Sequence, residues 1–417
     1  MKDLIKKLIP YLPKSVNIFL YRTYEKVGEI KVKKHYSYKN IKKENKKIKN
    51  ILFYHPSGLS FGGTEKFLQI IAKHIDSNKY NLSYMYSSKP RYNNQKADGR
   101  KYYLENENIE LIHFNYKNIQ NRYPYIIEEM NPDIFNVIKE KNTDLLIVPG
   151  SGYSEFPFNI INDIPIIMLN IFGSPSSQKN IINHVCISNE VEQKISHVVS
   201  QRKRSVVYIP SEKPSDESYK ATQIRERFGI KENDFVFGRI GRASNEIFDP
   251  IGINAFKEVV KKYPTSHYLI MSTPPIIKEI VEKENIPNVH FIEASSDETD
   301  VWAFHQSIDV LAHFRMDGES CGLNIIESML CGNPIITHKS HIWNAHLEYL
   351  KPEFSRVTEK DDVEQYAVYM EEMIKMKESG KMKDIRENLK KYAEEMFLIE
   401  NNIGKIEKII EDYNAKN

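Results

Sequence analysis

The fold of this protein is decided by residues 317–334, which read DGESCGLNIIESMLCGNP. They follow an apolar segment at 309–314, which we predict to be a buried strand. After a glycine-containing loop, apolar residues recur at the spacing of one helix face: Leu323, Ile326, Met329 and Leu330. A strand, a loop and a helix in this order are typical of a parallel sheet built from βα units.

The start of this helix has the features of an anion-binding site. Its first backbone N–H groups, near Gly322 and Leu323, and the positive end of the helix dipole favour a diphosphate. Glu319 and Glu327 flank the helix start, and a fully helical path would separate them by roughly 12 Å at about 1.5 Å per residue. That separation suits one ligand with hydroxyls on both sides of a phosphate bridge, as in a nucleotide sugar. The alternative interpretation is that Glu319 caps the helix and Glu327 is solvated.

Strand-like and helix-like segments alternate from residue 50 onward. A first series has a helix after Gly63 and predicted strands at 50–54, 80–86, 109–114, 144–148, 165–170, 183–187 and 206–209. A second series has predicted strands at 234–240, 267–271, 289–293 and 309–314 and helices at 251–262, 275–284 and 300–306. The chain after residue 360 is predicted to be wholly helical.

The two series predict an α/β protein with two tandem doubly wound, Rossmann-like domains facing a cleft and a C-terminal helical tail. We place a basic extension at 1–49, a first domain at 50–205 and a second domain at 206–397. The tail helix, 398–417, is expected to pack back onto the first domain. Ligands of such sheets bind at the carboxyl ends of the strands, so the cleft between the domains is the expected site.

Length and composition exclude several classes of protein. The 417 residues are 41% hydrophobic and 28% charged, which suits two soluble α/β domains. The longest apolar runs, such as 164–169, are of strand length, so we expect no transmembrane enzyme. Prolines at 10 and 13 interrupt the apolar N-terminal patches and argue against a secretory signal, so a cytoplasmic location is expected.

The net charge of +3 hides a strongly basic N-terminal arm. Residues 1–50 contain 15 Lys and Arg against four acidic residues, a net charge of +11, which leaves −8 for the other 367 residues. One interpretation is that the arm lies on an anionic membrane surface, where each cation contributes about 1 kcal/mol. The other is a solvated extension. Nucleic acid is not an expected partner, because no recognition fold accompanies the arm.

Three motifs in chain order resemble one known family. Residues 318–337 resemble the signature of retaining glycosyltransferases of family 4, which have the GT-B fold: Glu-x(7)-Glu followed by Cys-Gly-x-Pro-Ile-Ile. Residues 60–65, SFGGTE, are similar to the first glycine loop of that family, and residues 237–242, FGRIGR, to the strand that opens its C-terminal domain. The resemblance covers roughly residues 50–415 and implies two Rossmann-like domains.

The resemblance also implies roles for residues on the donor side. Glu319 contacts hydroxyls of the donor sugar and Glu327 holds the ribose. Arg239 or Arg242 neutralises the leaving diphosphate, where negative charge grows as the glycosidic bond breaks. The remaining implied donor contacts are Ser320, the backbone amides of Cys321, Gly322 and Leu323, and the close backbone approach allowed by Gly62 and Gly63.

The chain departs from the family pattern in two places. Family members usually have a lysine shortly after the arginine, whereas residues 243–249 read ASNEIFD. The loop at 337–348 contains three histidines, whose spacing matches no standard zinc pattern, so we predict no metal site. This loop either faces the donor or acceptor or is structural; Asn344 and His346 are the residues to test. On the acceptor side the candidates are Glu155, Gly173 and Ser174, and His184 is expected to be structural.

These observations predict a retaining, metal-independent glycosyltransferase that moves a sugar from a nucleoside diphosphate sugar to an acceptor hydroxyl. The chain contains no Asp-x-Asp motif, and arginine and the helix dipole would neutralise the diphosphate instead. No cofactor is expected. The expected acceptor is a glycan, a lipid-linked glycan or a protein, in cell-surface polysaccharide or glycolipid synthesis at the inner membrane face. The alternative is a non-catalytic GT-B scaffold that binds glycan and assists an active transferase, which the missing lysine favours.

Overall fold

The computed structural model describes residues 47–87, 98–114, 120–122, 125–127, 133–152, 157–295 and 297–417, together with isolated positions between 13 and 27. Glu155 and nearly all of the basic arm lie outside the described residues. The chain forms two compact units. The first comprises Met1–Pro210 and Ile399–Asn417, and the second comprises Ser211–Leu398.

The strands from residue 47 onward are numbered in chain order. They are β1 Asn50–Tyr54, β2 Asn81–Tyr86, β3 Glu110–His113, β4 Gln120–Arg122, β5 Tyr125–Ile127, β6 Leu145–Gly150, β7 Ile166–Asn170, β8 Ile181–Cys186, β9 Arg204–Val206, β10 Phe235–Ile240, β11 Ser266–Met271, β12 Val289–Ile292, β13 Val310–Ala312, β14 Gly318–Glu319, β15 Ile335–His338, β16 Trp343–Asn344 and β17 Ser355–Thr358.

The α-helices over the same range are numbered in the same way. They are α1 Gly63–His74, α2 Asp133–Glu140, α3 Asn189–Ile195, α4 Ser218–Arg227, α5 Ile251–Lys262, α6 Pro275–Lys283, α7 Glu298–Ser307, α8 Leu323–Leu330, α9 Val363–Glu378, α10 Met382–Phe397 and α11 Ile403–Asn414.

The first unit is built on a parallel sheet in the order β3-β2-β1-β6-β7-β8-β9. Chain order reverses between β1 and β6, which makes this the topological switch point of the sheet. The last helix, α11, belongs to this unit: the Asn414 side chain accepts a 2.7 Å hydrogen bond from the Ile48 N–H, and Glu407 accepts one of 2.9 Å from the Asp76 N–H.

The second unit is built on a parallel sheet in the order β12-β11-β10-β13-β15-β17. Counted within the unit this is 3-2-1-4-5-6, the order of a Rossmann-type sheet, with its switch point between β10 and β13. Beneath it, the rings of Phe237, Phe256 and Tyr268 pack edge to face or tilted, with centroids 5.3–6.1 Å apart. Their burial and mutual contact hold α5 against the sheet.

The predicted α/β class with two tandem doubly wound sheets is confirmed. Most predicted elements lie within a few residues of the observed ones. The sequence pattern missed the short parallel pair of β14 and β16, because two-residue strands carry no readable periodicity. No helix in the described ranges is long and apolar enough to cross a membrane.

Candidate functional site

The switch point of the second unit gathers the segments that the sequence singled out. The loop after β10 contains Gly241 and Arg242, and the loop after β13 leads through His313 and Arg315 to β14. The Asn324 side chain, in the first turn of α8, donates a 3.1 Å hydrogen bond to the Ile240 carbonyl. This bond joins the start of α8 to the end of β10, so the helix N-terminus lies at the carboxyl edge of the sheet.

Gly322 makes the turn that begins α8. Its backbone is left-handed, with φ 89° and ψ 59°, which a residue with a side chain adopts only at a cost. Its carbonyl accepts the N–H groups of Ile325 and Ile326 at 3.0 and 3.1 Å. The amides before these two have no acceptor within the helix. They are available to an anion, because Gly322 presents no side chain over them.

Glu319 is the acidic centre of this site. Its Oε1 lies 3.2 Å from His313 Nε2 and 3.5 Å from Arg315 Nη1. Burial on its own raises the pKa of Glu319, but the contact with His313 and the charge of Arg315 outweigh burial and lower it to about 2. Glu319 is therefore ionised at neutral pH and accepts hydrogen bonds only, so it can accept them from hydroxyl groups of a ligand.

His313 and Arg315 were not among the sequence-predicted site residues. Burial, and then the charge of Arg239, lower the pKa of His313 to about 3 against the opposing effect of Glu319, so the imidazole is neutral at pH 7. Arg315 donates to both carboxylate oxygens of Asp317, at 2.6 and 3.1 Å. His313 and Arg315 lie just after the carboxyl end of β13, where side chains of a parallel sheet commonly contribute to a site, and this position is the sequence signal that could have identified them.

The histidine-containing loop runs beside Glu319. Strands β14 and β16 pair in parallel with Glu319 opposite Asn344. The Asn344 side chain accepts from the Ser340 N–H at 2.8 Å and donates to the Ser340 carbonyl at 2.7 Å, so it closes the loop on itself. His346 is buried, and burial lowers its pKa to about 4. These two residues shape the loop that supports Glu319.

Glu327 is buried in α8 rather than solvated, with 3% of the residue exposed. Its Oε2 lies 3.9 Å from Nε2 of the equally buried His305 in α7. The interpretation of Glu327 as a solvated helix residue is therefore wrong. The ribose contact that the resemblance implies for Glu327 stays a prediction.

Arg239 is buried against the loop after β10, where a Cβ at Gly241 would lie 2.4 Å from its Nη1. It is 1% exposed, and its guanidinium donates to the carbonyls of Phe314, at 3.0 Å, and of Ile240. The guanidinium carbon lies 4.2 Å from the ring centroid of Phe248. Burial lowers the pKa of Arg239 to about 10, which leaves it charged at pH 7. Of the two predicted phosphate-neutralising arginines, the structure thus places Arg239 in the core and Arg242 on an exposed loop.

The other predicted donor contacts lie along the same turn. Ser320 and Leu323 are half-buried and Cys321 is buried, immediately before and after Gly322. In the described parts of the chain no group of three or more His, Cys, Asp or Glu side chains is arranged to hold a metal ion.

The switch point of the first unit contains the other glycine loop. Gly62 precedes α1, and a Cβ there would lie 2.0 Å from a carboxylate oxygen of Glu65, so only glycine fits without movement. The same carboxylate lies 3.7 Å from His55 Nδ1. Beyond β7, Gly173 has φ 67°, and its N–H donates to the Asn170 side chain at 2.8 Å. Asn170 in turn donates to the carbonyl of Ser174 at 2.9 Å. The acceptor role predicted for Gly173 and Ser174 stays a prediction.

Residues 220–396 match the family described as Glycosyl transferases group 1. The matched stretch is less than half of the 417 residues. It contains β10, β13 and α8, and with them Glu319, Gly322 and Glu327. The matched stretch therefore includes the site described for the second unit.

The chain also has a distant relative among enzymes. The chain is 22% identical over 142 residues to alpha-monoglucosyldiacylglycerol synthase of Acholeplasma laidlawii. The similar segment covers 33% of this chain and 35% of that enzyme, so the match spans about a third of the relative.

Solved structures establish the fold. A glycosyltransferase from Rickettsia africae ESF-5 is similar with a TM-score of 0.69 and 15% identity, over 89% of this chain and 100% of that one. Anabaena Alr3699/HepE in complex with UDP and glucose is similar with a TM-score of 0.64 and 17% identity, over 88% and 100%. These likenesses show that the chain has the GT-B fold.

Proposed function

We propose that this protein transfers a sugar from a nucleoside diphosphate sugar to an acceptor hydroxyl with retention of the anomeric configuration. The observation that carries the proposal is the arrangement of an ionised Glu319 beside the glycine turn that begins α8. A carboxylate that accepts hydrogen bonds and backbone amides that have no acceptor within the helix are complementary to a sugar and its diphosphate.

The donor-side residues have the following roles in this proposal. The amides of Cys321, Gly322 and Leu323 bind the diphosphate, and Glu319 binds hydroxyls of the sugar. Glu327 binds the ribose. Arg242, which lies on an exposed loop at the same edge of the sheet, neutralises the charge that grows on the leaving diphosphate.

The reaction needs no protein nucleophile in this proposal. The bond between the anomeric carbon and the phosphate oxygen breaks, and the acceptor oxygen bonds to the anomeric carbon on the same face. The acceptor proton passes to the departing phosphate. Positioning and electrostatic stabilisation then supply the catalysis, with arginine and the helix dipole in place of a metal ion.

UDP is the nucleotide to test first, because Alr3699/HepE has been crystallised with UDP and glucose. For the acceptor we propose a glycolipid or a cell-surface polysaccharide in the cytoplasm at the inner membrane face. The name of the Acholeplasma relative and the net charge of +11 in residues 1–50 support it. Unchanged binding to anionic vesicles after deletion of residues 1–45 would exclude membrane attachment through this arm.

The decisive assay measures diphosphate release from UDP-sugars and other nucleotide sugars, with and without glycan and glycolipid acceptors. We expect release by the wild-type protein and at least a hundredfold less by Glu319→Gln, since loss of one transition-state contact costs on the order of 10²-fold or more. The matched control is Glu359→Gln, because Glu359 is exposed and pairs only with Lys339 among the contacts described. Equal release by Glu319→Gln and the wild type would refute the role of Glu319.

Two further readouts separate the finer parts of the proposal. The anomeric configuration of the product, read by NMR, shows retention or inversion. Activity that survives a chelator supports independence from metal, and activity lost and restored by a divalent cation overturns it.

A scaffold function is the second candidate. It is favoured by the burial of Arg239 and the absence of lysine from 243–249, which leave Arg242 as the predicted cation at the diphosphate. Nucleotide binding without release from any donor would support this candidate over the enzyme.

A further inference from the structure

A buried tyrosine lies behind the turn that begins α8. Tyr349 follows β16 and the short 3-10 helix Ala345–Glu348, and 1% of it is exposed. Its hydroxyl donates to the carbonyl of Cys321 and lies 3.5 Å from the carbonyl of Gly322. The tyrosine thus contacts the two peptide groups on which the proposed diphosphate site depends, although 28 residues separate Tyr349 from Cys321 in the chain.

The geometry of the peptide bond links the contact at the Cys321 carbonyl to the direction of the Gly322 N–H. The carbonyl of Cys321 and the N–H of Gly322 belong to one planar trans peptide and point in opposite directions. A hydroxyl that binds the carbonyl therefore fixes the N–H on the opposite face of the turn. The same relation holds between the Gly322 carbonyl and the Leu323 N–H. Tyr349 occupies the back of the turn, and the amides proposed to bind phosphate point away from it.

Tyr349 is itself held in place from α10. The Phe397 ring packs edge to face against it, with centroids 5.0 Å apart and an interplanar angle of 79°. The Tyr392 hydroxyl donates a 3.0 Å hydrogen bond to the Tyr349 carbonyl. The Phe397 carbonyl accepts a 2.9 Å bond from the Ser211 N–H, so this end of α10 is anchored as well. These contacts restrict the movement of the Tyr349 side chain relative to α10.

We propose that Tyr349 is a positioning residue of the donor site, which orients the amides of Gly322 and Leu323 toward the diphosphate. The inference rests on the proposed function, because it names what aligns the same site. Tyr349 contacts no donor atom itself in this proposal. The competing explanation is that Tyr349 only fills the core beneath α8, as any large aromatic residue would.

The variant Tyr349→Phe keeps the ring and removes the hydroxyl. Its matched control is Tyr268→Phe, because the buried Tyr268 hydroxyl also donates to a backbone carbonyl of this unit, that of Ala312 in β13 at 2.8 Å. Calorimetric titration with UDP and with uridine separates diphosphate binding from nucleoside binding. We expect Tyr349→Phe to bind UDP up to about fivefold more weakly, with uridine affinity unchanged, because UDP must then order amides that the hydroxyl no longer fixes. The upper limit corresponds to the energy of one net hydrogen bond. Tyr268→Phe should bind both like the wild type.

A ligand-free measurement tests the same proposal. Amide hydrogen exchange in residues 318–326 should quicken in Tyr349→Phe and stay at the wild-type rate in Tyr268→Phe. UDP affinity and exchange that are both unchanged in Tyr349→Phe would overturn the positioning role and leave the proposed function standing. Equal weakening of UDP and uridine would show a general structural role and also overturn it. A wild-type protein that binds no UDP, GDP or ADP would overturn the proposed function and this inference together.

Discussion

Substitution of Gly322 by alanine tests the turn at the centre of the site. Gly322 has φ 89°, where an alanine costs about 1–2 kcal/mol relative to glycine. The added Cβ would lie 2.9 Å from the Tyr349 hydroxyl oxygen and 3.2 Å from Cδ1 of Ile325. Because Phe397 and Tyr392 hold Tyr349 in place, the overlap adds about 1 kcal/mol or more.

The chain supplies two matched controls. Gly380 and Gly229 have φ 77° and 68°, and a Cβ at either position meets nothing within 4 Å. Alanine at these positions therefore causes the backbone strain without the overlap. We expect the free energy of unfolding to fall by about 1–2 kcal/mol at Gly380 or Gly229 and by about 2–4 kcal/mol at Gly322. Only Gly322→Ala should also weaken UDP binding, by about fivefold or more.

The measurement is urea unfolding followed by tryptophan fluorescence. Both tryptophans of the chain, Trp302 and Trp343, lie in the second unit together with the three glycines, so the signal reports on that unit. A Gly322→Ala variant that is no less stable than Gly380→Ala and binds UDP normally would refute the reasoning about the turn.

Two further predictions follow from burial and charge. Arg242→Ala should lower diphosphate release and leave the stability unchanged. Arg239→Met should lose at least about 2 kcal/mol of unfolding free energy, because the buried guanidinium donates to two carbonyls. Equal stability of the two variants in urea would contradict this prediction. Acidification should destabilise the second unit. Burial lowers the pKa of His313 to about 3 and the pKa values of His346 and His290 to about 4. Below the ordinary histidine pKa of 6.5, the unfolded chain therefore binds protons that the folded chain does not bind. The urea concentration at half-unfolding should therefore decrease as the pH is lowered from 6.5 to 4. His290→Phe removes one of these histidines, beside the ring of Phe228, and should make this decrease smaller. An unchanged dependence of the midpoint on pH would exclude His290 as a contributor.

The local pattern of the sequence predicted the α/β class and most strands and helices. Buried parallel strands are continuous apolar runs and their helices are amphipathic at a period of 3.6, and both signals lie within a few neighbouring residues. The glycine turn before α8 was also readable, because residues 317–334 contain the strand exit, the glycine and the helix face in one stretch. No long-range contact is needed to recognise them.

The local sequence pattern did not predict which groups surround Glu319. Arg239 looked like a phosphate ligand in sequence, yet Phe248 and the Phe314 carbonyl hold it in the core. His313, which follows β13, contacts Glu319, and Tyr349 contacts the turn from 28 residues away in the chain.

The sequence by itself determined the sheets, the turn and the acidic residues beside it. Only the tertiary structure decided which cation is buried, which carboxylate is ionised and which hydroxyl supports the turn. The physical reason is that burial and the proximity of charges fix a pKa and the direction of a side chain, and both arise from residues far apart along the chain.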